Sequence, residues 1–463
     1  MQKTGYRLVL LALISCALWL FSRKIGLSNN QSLSIAIFST SILGTLFFWD
    51  FRLSFAFLGT AILLVTKTID IEHVIEFSSL EVILFLVGMM IITGFLKYSG
   101  FFAWIVSLIL RIRNLTGRKF VFYIAVLSAL LSCAVDEVTS IIFMVAAILE
   151  ICDYFEVEPT PFLIISVFAT NIGSAGTVLG NPIGILIASK SGLTFEDFIV
   201  KAFPLAMLCL LVLIFIVLFW YRPAIKNFDR KIKELGPNDI LISLISVSPD
   251  RHTKTACSVF AATLCAIAVS YRFDLFWKLM PNTTLVAIPL IVAAFIMIWK
   301  WRKARAFVEK DVEWWTLLFF LMLFVQAGTL KYTDTTKILA DKIITLTENN
   351  HNLLVGMTLW LSAIGSSILD NVVLVAAFVP IVQGLKIASV NLEPLWWAIL
   401  FGGCLGGNIT LVGSTANIVA IGILEKEKNI RITFLEWFKI GAIVGIITTA
   451  VVWLVLTVSC VYR

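Results

Sequence analysis

Four short motifs in the first half of the chain recur in the same order in the second half, the first two at an offset of 234 residues. Gly94-Phe95-Leu96-Lys97-Tyr98-Ser99 returns as Gly328-Thr329-Leu330-Lys331-Tyr332-Thr333. At the same offset, Ser132-Cys133-Ala134-Val135-Asp136-Glu137-Val138-Thr139 returns as Ser366-Ser367-Ile368-Leu369-Asp370-Asn371-Val372-Val373. One residue out of step, Thr177-Val178-Leu179-Gly180-Asn181-Pro182 returns as Thr410-Leu411-Val412-Gly413-Ser414-Thr415. Later, Leu193 to Phe198 returns as Ile432 to Phe438. Four matches in one order describe a duplicated chain, which folds as two related units packed on each other.

Composition says where those units reside. Hydrophobic residues make up 60% of the 463, and charged residues 14%, against roughly 45–50% and about 25% in soluble domains. Mean hydropathy is +0.98. A water-soluble core cannot hide this much apolar surface, so soluble enzymes, disulfide scaffolds and disordered proteins are excluded. Apolar runs near 5–22, 32–49, 53–67, 81–97, 203–221, 256–271, 283–300, 314–331 and 439–460 approach the roughly 20 residues that a helix needs to cross a bilayer. Regions 119–152 and 352–388 have a polar cluster at the centre and short halves, and are read as re-entrant hairpins. Regions 160–190 and 394–424 are apolar but interrupted by Gly, Asn, Thr, Ser or Pro, and are read as spans broken in mid-membrane.

The expected fold is therefore all-α and polytopic. It has about eleven transmembrane helices, two hairpins and two broken helices, arranged as two inverted repeats. Residues 1–30 form an N-terminal helix, 31–221 the first repeat, 222–255 a cytoplasmic linker and 256–463 the second repeat. The N-terminus, Lys3 to Arg7 before an apolar run, is read as a retained helix because no clear cleavage site follows it. With the N-terminus in the cytoplasm, 24 of the 36 Lys and Arg residues fall on the cytoplasmic side, Arg52 among them. Arg23 and Lys24 are a local exception. The bias follows the positive-inside rule and explains the net charge of +7 without nucleic acid. It also places the two hairpins in opposite orientation. A plasma (inner) membrane location is expected.

The eight cysteines lie in or beside apolar runs with no CxxC pair, and behave as small hydrophobes. No metal spacing involves His73, His252 or His351, and no nucleophile–base motif occurs. The expectation is a non-enzyme without a cofactor. No ATP-binding loop occurs, so primary pumping would need a partner ATPase.

Four stretches carry the chemistry. The first tip holds Ser132, Asp136, Glu137 and Thr139, and the second holds Ser366, Asp370 and Asn371. A carboxylate inside a membrane segment costs roughly 2.5–3.5 kcal/mol on insertion scales and marks an ion or proton pathway by default. The alternative is that these residues only cap short helices. The broken spans are Asn171-Ile172-Gly173-Ser174 through Thr177, Gly180, Asn181 and Gly184, and Gly402 through Gly406, Asn408, Thr410, Gly413, Ser414, Thr415 and Asn417. Glycine lets the backbone leave the helix, and such backbone at membrane depth has to line a cavity or lie buried in protein. Close helix packing by small residues is the alternative there, but it does not account for the Asn, Ser and Thr side chains. Oxygen ligands of this kind suit a hard cation such as Na+.

On these residues the chain resembles the ion transporter superfamily, in particular its arsenite-permease and P protein branch with the citrate-transporter-like domain. NhaD-type Na+/H+ antiporters are related. The pieces that carry the likeness are Asp370-Asn371, the run Gly406-Gly407-Asn408 through Asn417, and Asn171 through Pro182. The resemblance implies a homodimeric inverted-repeat transporter with a scaffold domain and a mobile transport domain, working by elevator-like alternating access. By position it implies cation and substrate sites at Ser132, Asp136, Glu137, Thr139, Thr177 and Asn181, and at Ser366, Asp370, Asn371, Asn408, Thr410 and Asn417. Asp136-Glu137 departs from the Asp-Asn found at the first tip of many arsenite and P-type members. Gly180-Asn181-Pro182-Ile183-Gly184 departs from their Gly-Asp-Pro-Pro-Asn.

Charge orders the functional expectations. Stretches 132–147, 171–189, 366–385 and 402–424 contain no Lys or Arg. Like charges 4 Å apart repel by about 4 kcal/mol at an effective dielectric of 20, so a dianion is disfavoured unless cations bind first. The expectation is a secondary active transporter coupled to H+ or Na+, exchanging cations or moving a weakly charged solute. An anion permease for di- or tricarboxylate, arsenite or sulfate is the alternative, and a passive channel is the alternative of another class.

Overall fold

The computed structural model describes residues 2–110, 115–235, 250–347, 350–385 and 391–459. Within them every regular element is a helix. Six helices are long and apolar enough to cross a membrane: Gly5–Lys24, Leu80–Tyr98, Gly117–Ala134, Phe195–Trp220, Trp314–Tyr332 and Phe434–Val458. Arg251–Ala268 and Ser270–Phe276, bent by 51°, pass the same test as a pair. The chain is an integral membrane protein. Large apolar side chains such as Phe215 and Phe219 stay exposed on the outer surface, as a lipid-facing surface requires.

Simple counting of apolar runs expects about eleven spans, and several of those runs form shorter helices. Arg52–Val65 has 14 residues and Thr283–Trp299 has 17. Conversely Gly117–Ala134, read as half of a hairpin, has 18 residues and is long enough to cross by itself.

The two polar clusters end one helix and start the next. In the first, helix Gly117–Ala134 stops at Val135, and Asp136 turns extended (φ −177°, ψ 163°). Its carboxylate accepts from Thr139 N at 2.7 Å and so caps helix Glu137–Tyr154. In the second, helix His351–Ile368 stops at Leu369, and Asp370 caps helix Asn371–Gly384 by accepting from Val372 N at 3.1 Å. An aspartate at this position satisfies one of the orphan N–H groups of a helix start.

Each broken span is two helices around a short irregular turn. They are Thr160–Ser174 and Pro182–Ser191, then Glu393–Gly406 and Thr415–Lys428. Asn181 caps the second half of the first span, accepting from Gly184 N at 2.9 Å, and Pro182 occupies the first helical position. Ser414 caps its counterpart through Ala416 N at 3.2 Å.

The packing interleaves the repeats. In each repeat the first hairpin arm packs on the first half of that repeat's broken span. The second half of each broken span packs on the second hairpin arm of the other repeat: Pro182–Ser191 on Asn371–Gly384, and Thr415–Lys428 on Glu137–Tyr154. Beside this nest stands a layer built from Asn29–Phe47, Arg52–Val65, Leu80–Tyr98, Thr283–Trp299 and Trp314–Tyr332.

Segment 222–255, read as a linker, begins as helix Arg222–Leu235. Its Ile225 and Phe228 are buried. The Phe228 ring stacks on Phe120 at 4.5 Å, and Gly117 N donates to Asp229 Oδ1 at 2.7 Å. Apolar residues one helical turn apart make a stripe that docks, so this part is a packed element. Residues 251–255 belong to the next helix, and 236–249 lie outside the described residues.

The hairpin arms and broken spans touch backbone to backbone. A Cβ on Gly406 would lie 2.2 Å from Ala363 O, and one on Gly173 2.3 Å from Ala129 O, the equivalent atom of the other repeat. G406A should therefore lower stability by about 1–3 kcal/mol or more, as overpacking does. G422A, where nothing lies within 4 Å, should be neutral or stabilising by up to about 1 kcal/mol. Thermal unfolding of the two variants in detergent checks this; equal midpoints would refute the close approach.

Candidate functional site

The two hairpin tips meet. Asn371 Nδ2 donates to Glu137 Oε1 at 3.2 Å. These residues occupy equivalent positions of the two repeats, so the contact lies where the pseudo-symmetry axis brings the repeats together. Glu137 is 2% exposed and Asn371 fully buried. Asp370 is also buried, and its Oδ2 accepts from Thr415 Oγ1 at 2.7 Å. Asp136 and Asp370 both lie within electrostatic reach of Glu137. Among the described residues, no Lys or Arg nitrogen approaches any of the three carboxylates within 4.0 Å. Capping accounts for one oxygen of Asp136 and one of Asp370. It does not account for Glu137, which sits inside the first turn of its helix.

Behind the tips, the two breaks cross through an amide cluster. Asn171 Nδ2 donates to Asn408 Oδ1 at 2.8 Å and to Asn417 Oδ1 at 2.9 Å, and its Oδ1 accepts from Ser414 Oγ at 3.1 Å. Asn417 Nδ2 donates to the carbonyls of Gly407 (2.8 Å) and Thr410 (2.9 Å). Asn408 O accepts from Trp437 Nε1 at 3.0 Å. In the first break, Asn181 Nδ2 donates to Ser174 Oγ at 2.8 Å and to Cys404 Sγ at 3.1 Å. Thr177 Oγ1 donates to Cys133 O, and Thr410 Oγ1 to Ser367 O. The two threonines are thus equivalent ties from each break to its own hairpin.

A cavity of about 180 Å³ reaches the tips. Asp136, Glu137, Thr139, Asn181 and Thr415 line its inner part. Lys97, Lys310, Asp311 and Glu313 line it as well, and Lys97 pairs with Asp311 at 3.7 Å. Elsewhere, Glu81 bridges the outer layer to the first broken span, accepting from Ser189 Oγ at 2.6 Å and Lys190 Nζ at 3.0 Å.

The citrate transporter family CitMHS matches residues 42–402. The chain belongs to that family. An uncharacterized transporter of Mycobacterium tuberculosis is 32% identical over 79% of this chain and 82% of its own length. A 46 kDa membrane protein of Mycobacterium leprae is 30% identical over 85% of this chain and 91% of its own. The human P protein is 26% identical over 80% of this chain, which spans 52% of that protein. In structure, the chain is similar to the Alcanivorax borkumensis YdaH transporter, with a TM-score of 0.60, 14% identity, and coverage of 84% of this chain and 86% of that one. The likeness read from the motifs is therefore sound. The chain is a membrane transporter of this family with a YdaH-like fold.

The twelve residues singled out from sequence separate into two sets. Asp136, Glu137, Thr139 and Asn181 line the cavity, with Asp370 and Asn371 directly behind Thr415 and Glu137. Thr177, Ser366, Asn408, Thr410 and Asn417 spend their polar atoms holding the breaks. Ser132 differs from its counterpart. Ser366 Oγ donates to Gly403 O at 2.6 Å, whereas Ser132 Oγ is buried and has no partner among the described residues. Asn171, Ser414, Thr415 and Cys404 were not chosen as site residues, although they stand in the same polar runs. Arg52, counted from sequence among the basic residues of the cytoplasmic side, is only 5% exposed.

N171A would strip partners from Asn408, Asn417 and Ser414 at once. Each buried polar group left unpaired costs about 1–3 kcal/mol. The variant should unfold at a markedly lower temperature than wild type in detergent, and N171D should fall between them. Unchanged melting of N171A would remove the cluster from its structural role.

Proposed function

We propose that the chain is a secondary active transporter, coupled to H+ or Na+, that exchanges cations or moves a small, weakly charged solute by alternating access. The observation that carries this reading is the meeting of the tips. Asp136 and Glu137 line one cavity, and Asp370, at the position equivalent to Asp136, is held just behind it by the cavity-lining Thr415, all without a Lys or Arg ion pair among the described residues. Cation or proton binding lowers the cost of keeping ionised carboxylates at membrane depth, so the site takes up a cation or proton spontaneously and favours neutral or cationic cargo. Within the proposed twelve-residue site, Na+ or H+ is held among Asp136, Glu137 and Asp370, while Thr177, Ser366, Asn408, Thr410 and Asn417 brace the breaks behind them.

The remaining features of the proposal support one another. With the N-terminus in the cytoplasm of a plasma-membrane protein, the cavity runs toward the cytoplasmic Lys97 and Lys310. The Glu81–Lys190 and Glu81–Ser189 contacts then lie on the opposite side, where they would close the other access route. Motion of hairpins and broken spans against the outer layer would exchange the two openings, in the manner of an elevator, within a homodimer. An anion permease is the second reading, favoured by the family's description as citrate transporters. Under it, cations bound at the tips would offset the charge of the anion.

Flux into proteoliposomes under imposed Na+ and H+ gradients separates the readings. D136N and D370N should each lower gradient-driven flux at least about tenfold, the loss of one charge-assisted contact of roughly 1.4 kcal/mol or more. Normal flux in both variants would refute the site. Citrate uptake that exceeds cation exchange would favour the anion permease.

A further inference from the structure

Arg52 is the charged group near the tips that the transport reading leaves without a role. It stands at the start of helix Arg52–Val65, where the sequence suggests a loop charge, yet it is only 5% exposed. Its guanidinium lies 3.9 Å from the centroid of Trp49 and 5.1 Å from that of Phe319. Nη2 donates to Thr316 Oγ1 over a long 3.4 Å, and Nε has no partner among the described residues. Thr316 Oγ1 in turn donates to Glu313 Oε2 at 3.3 Å, and among the described residues neither Glu313 nor Asp370 forms an ion pair with Arg52.

A buried guanidinium without a carboxylate partner is strongly unfavourable, and two aromatic faces offset only part of that cost. Its placement therefore calls for a reason beyond stability. Thr316, which holds the guanidinium, lines the cavity, as does Thr415, which holds Asp370. Arg52 and Asp370 are thus each one hydroxyl removed from the same space. They also belong to different elements, both packed on helix Trp314–Tyr332. Helix Arg52–Val65 packs on Asn29–Phe47 and Trp314–Tyr332, while Asp370 is on a hairpin tip tied to the second broken span.

We propose that Arg52 is the fixed counter-charge of the transport site, competing with the transported cation for the ionised Asp370 and so promoting cation release. This inference rests on the cation-transport reading given above. The competition is Coulombic. A cation bound at Asp370 is repelled by the guanidinium through protein of low dielectric, which weakens binding and speeds unloading. When the cation has left, Arg52 stabilises the empty carboxylate. Arg52 is a positioning residue for this step and need not touch the cargo.

The test is Na+ uptake into proteoliposomes as a function of Na+ concentration, driven by an outward proton gradient, for wild type, R52K, R52Q and R52M. In the neutral variants the half-saturating Na+ concentration should fall about tenfold, the effect of removing one nearby repulsive charge, and the maximal rate should fall at least as much. R52K should stay close to wild type. A merely structural Arg52 would give the opposite sign, with weaker Na+ dependence and lower melting temperatures. Unchanged or weaker Na+ affinity in R52Q and R52M, with wild type still transporting, would overturn the counter-charge and leave the transport reading in place. Absence of Na+ flux in wild type would overturn the Na+ form of both.

Discussion

Backbone that is not helical cannot face lipid, and this constraint organises the structure. Residues 175–181 and 407–414 leave the helix inside an apolar environment, where each unpaired N–H or C=O would be costly. The chain answers with internal partners. Thr177 and Thr410 tie each break to its hairpin, and Asn417 takes up two carbonyls of the second break. Those ties require the first hairpin arm to lie directly on the break, which only glycine at 173 and 406 permits. Once the arms are fixed there, the tips they carry meet at Glu137 and Asn371. The acidic site follows from the way the breaks are satisfied.

The duplication keeps the order of helices, breaks and caps but not their side chains. The threonine ties, the glycine contacts and the capping aspartates recur in both repeats. The variable positions are those that set charge and occupancy: Glu137 opposite Asn371, Ser174 opposite Gly407, Ala175 opposite Asn408, and Gly184 opposite Asn417. The symmetric residues hold the architecture, and the asymmetric ones face the cavity or the crossing of the breaks. Two related halves can thus share one order of elements while only one tip carries two adjacent carboxylates. The third acid, Asp370, is held instead by Thr415.

The helix ends at the two polar clusters and the breaks in the long apolar runs were legible because a polar cluster inside an apolar run has few physical explanations. Asp136 and Asp370 are conspicuous for the same reason. The polar atoms of Asn408, Asn417 and Thr410 were equally conspicuous, but their use was not. An amide at membrane depth can bind cargo or hold backbone, and only the three-dimensional arrangement distinguishes the two. Helix Arg222–Leu235 was missed because its apolar stripe is narrow and set among charges, so it gains stability only through Phe120 and Gly117 of another segment.

The sequence by itself determined that this is a membrane protein made of two related halves, each with an interrupted span and an acidic or amide tip. Hydropathy and internal repetition are local properties, and they survive without knowledge of contacts. Tertiary structure decided which of those polar groups face the cavity, which are consumed in holding the breaks, and that Arg52 lies buried against aromatic rings. Contacts between residues more than two hundred positions apart, such as Glu137 with Asn371 or Asn171 with Asn408, depend on how the halves interleave. No local pattern encodes that, because the same side chain serves as ligand or as strut according to what packs against it.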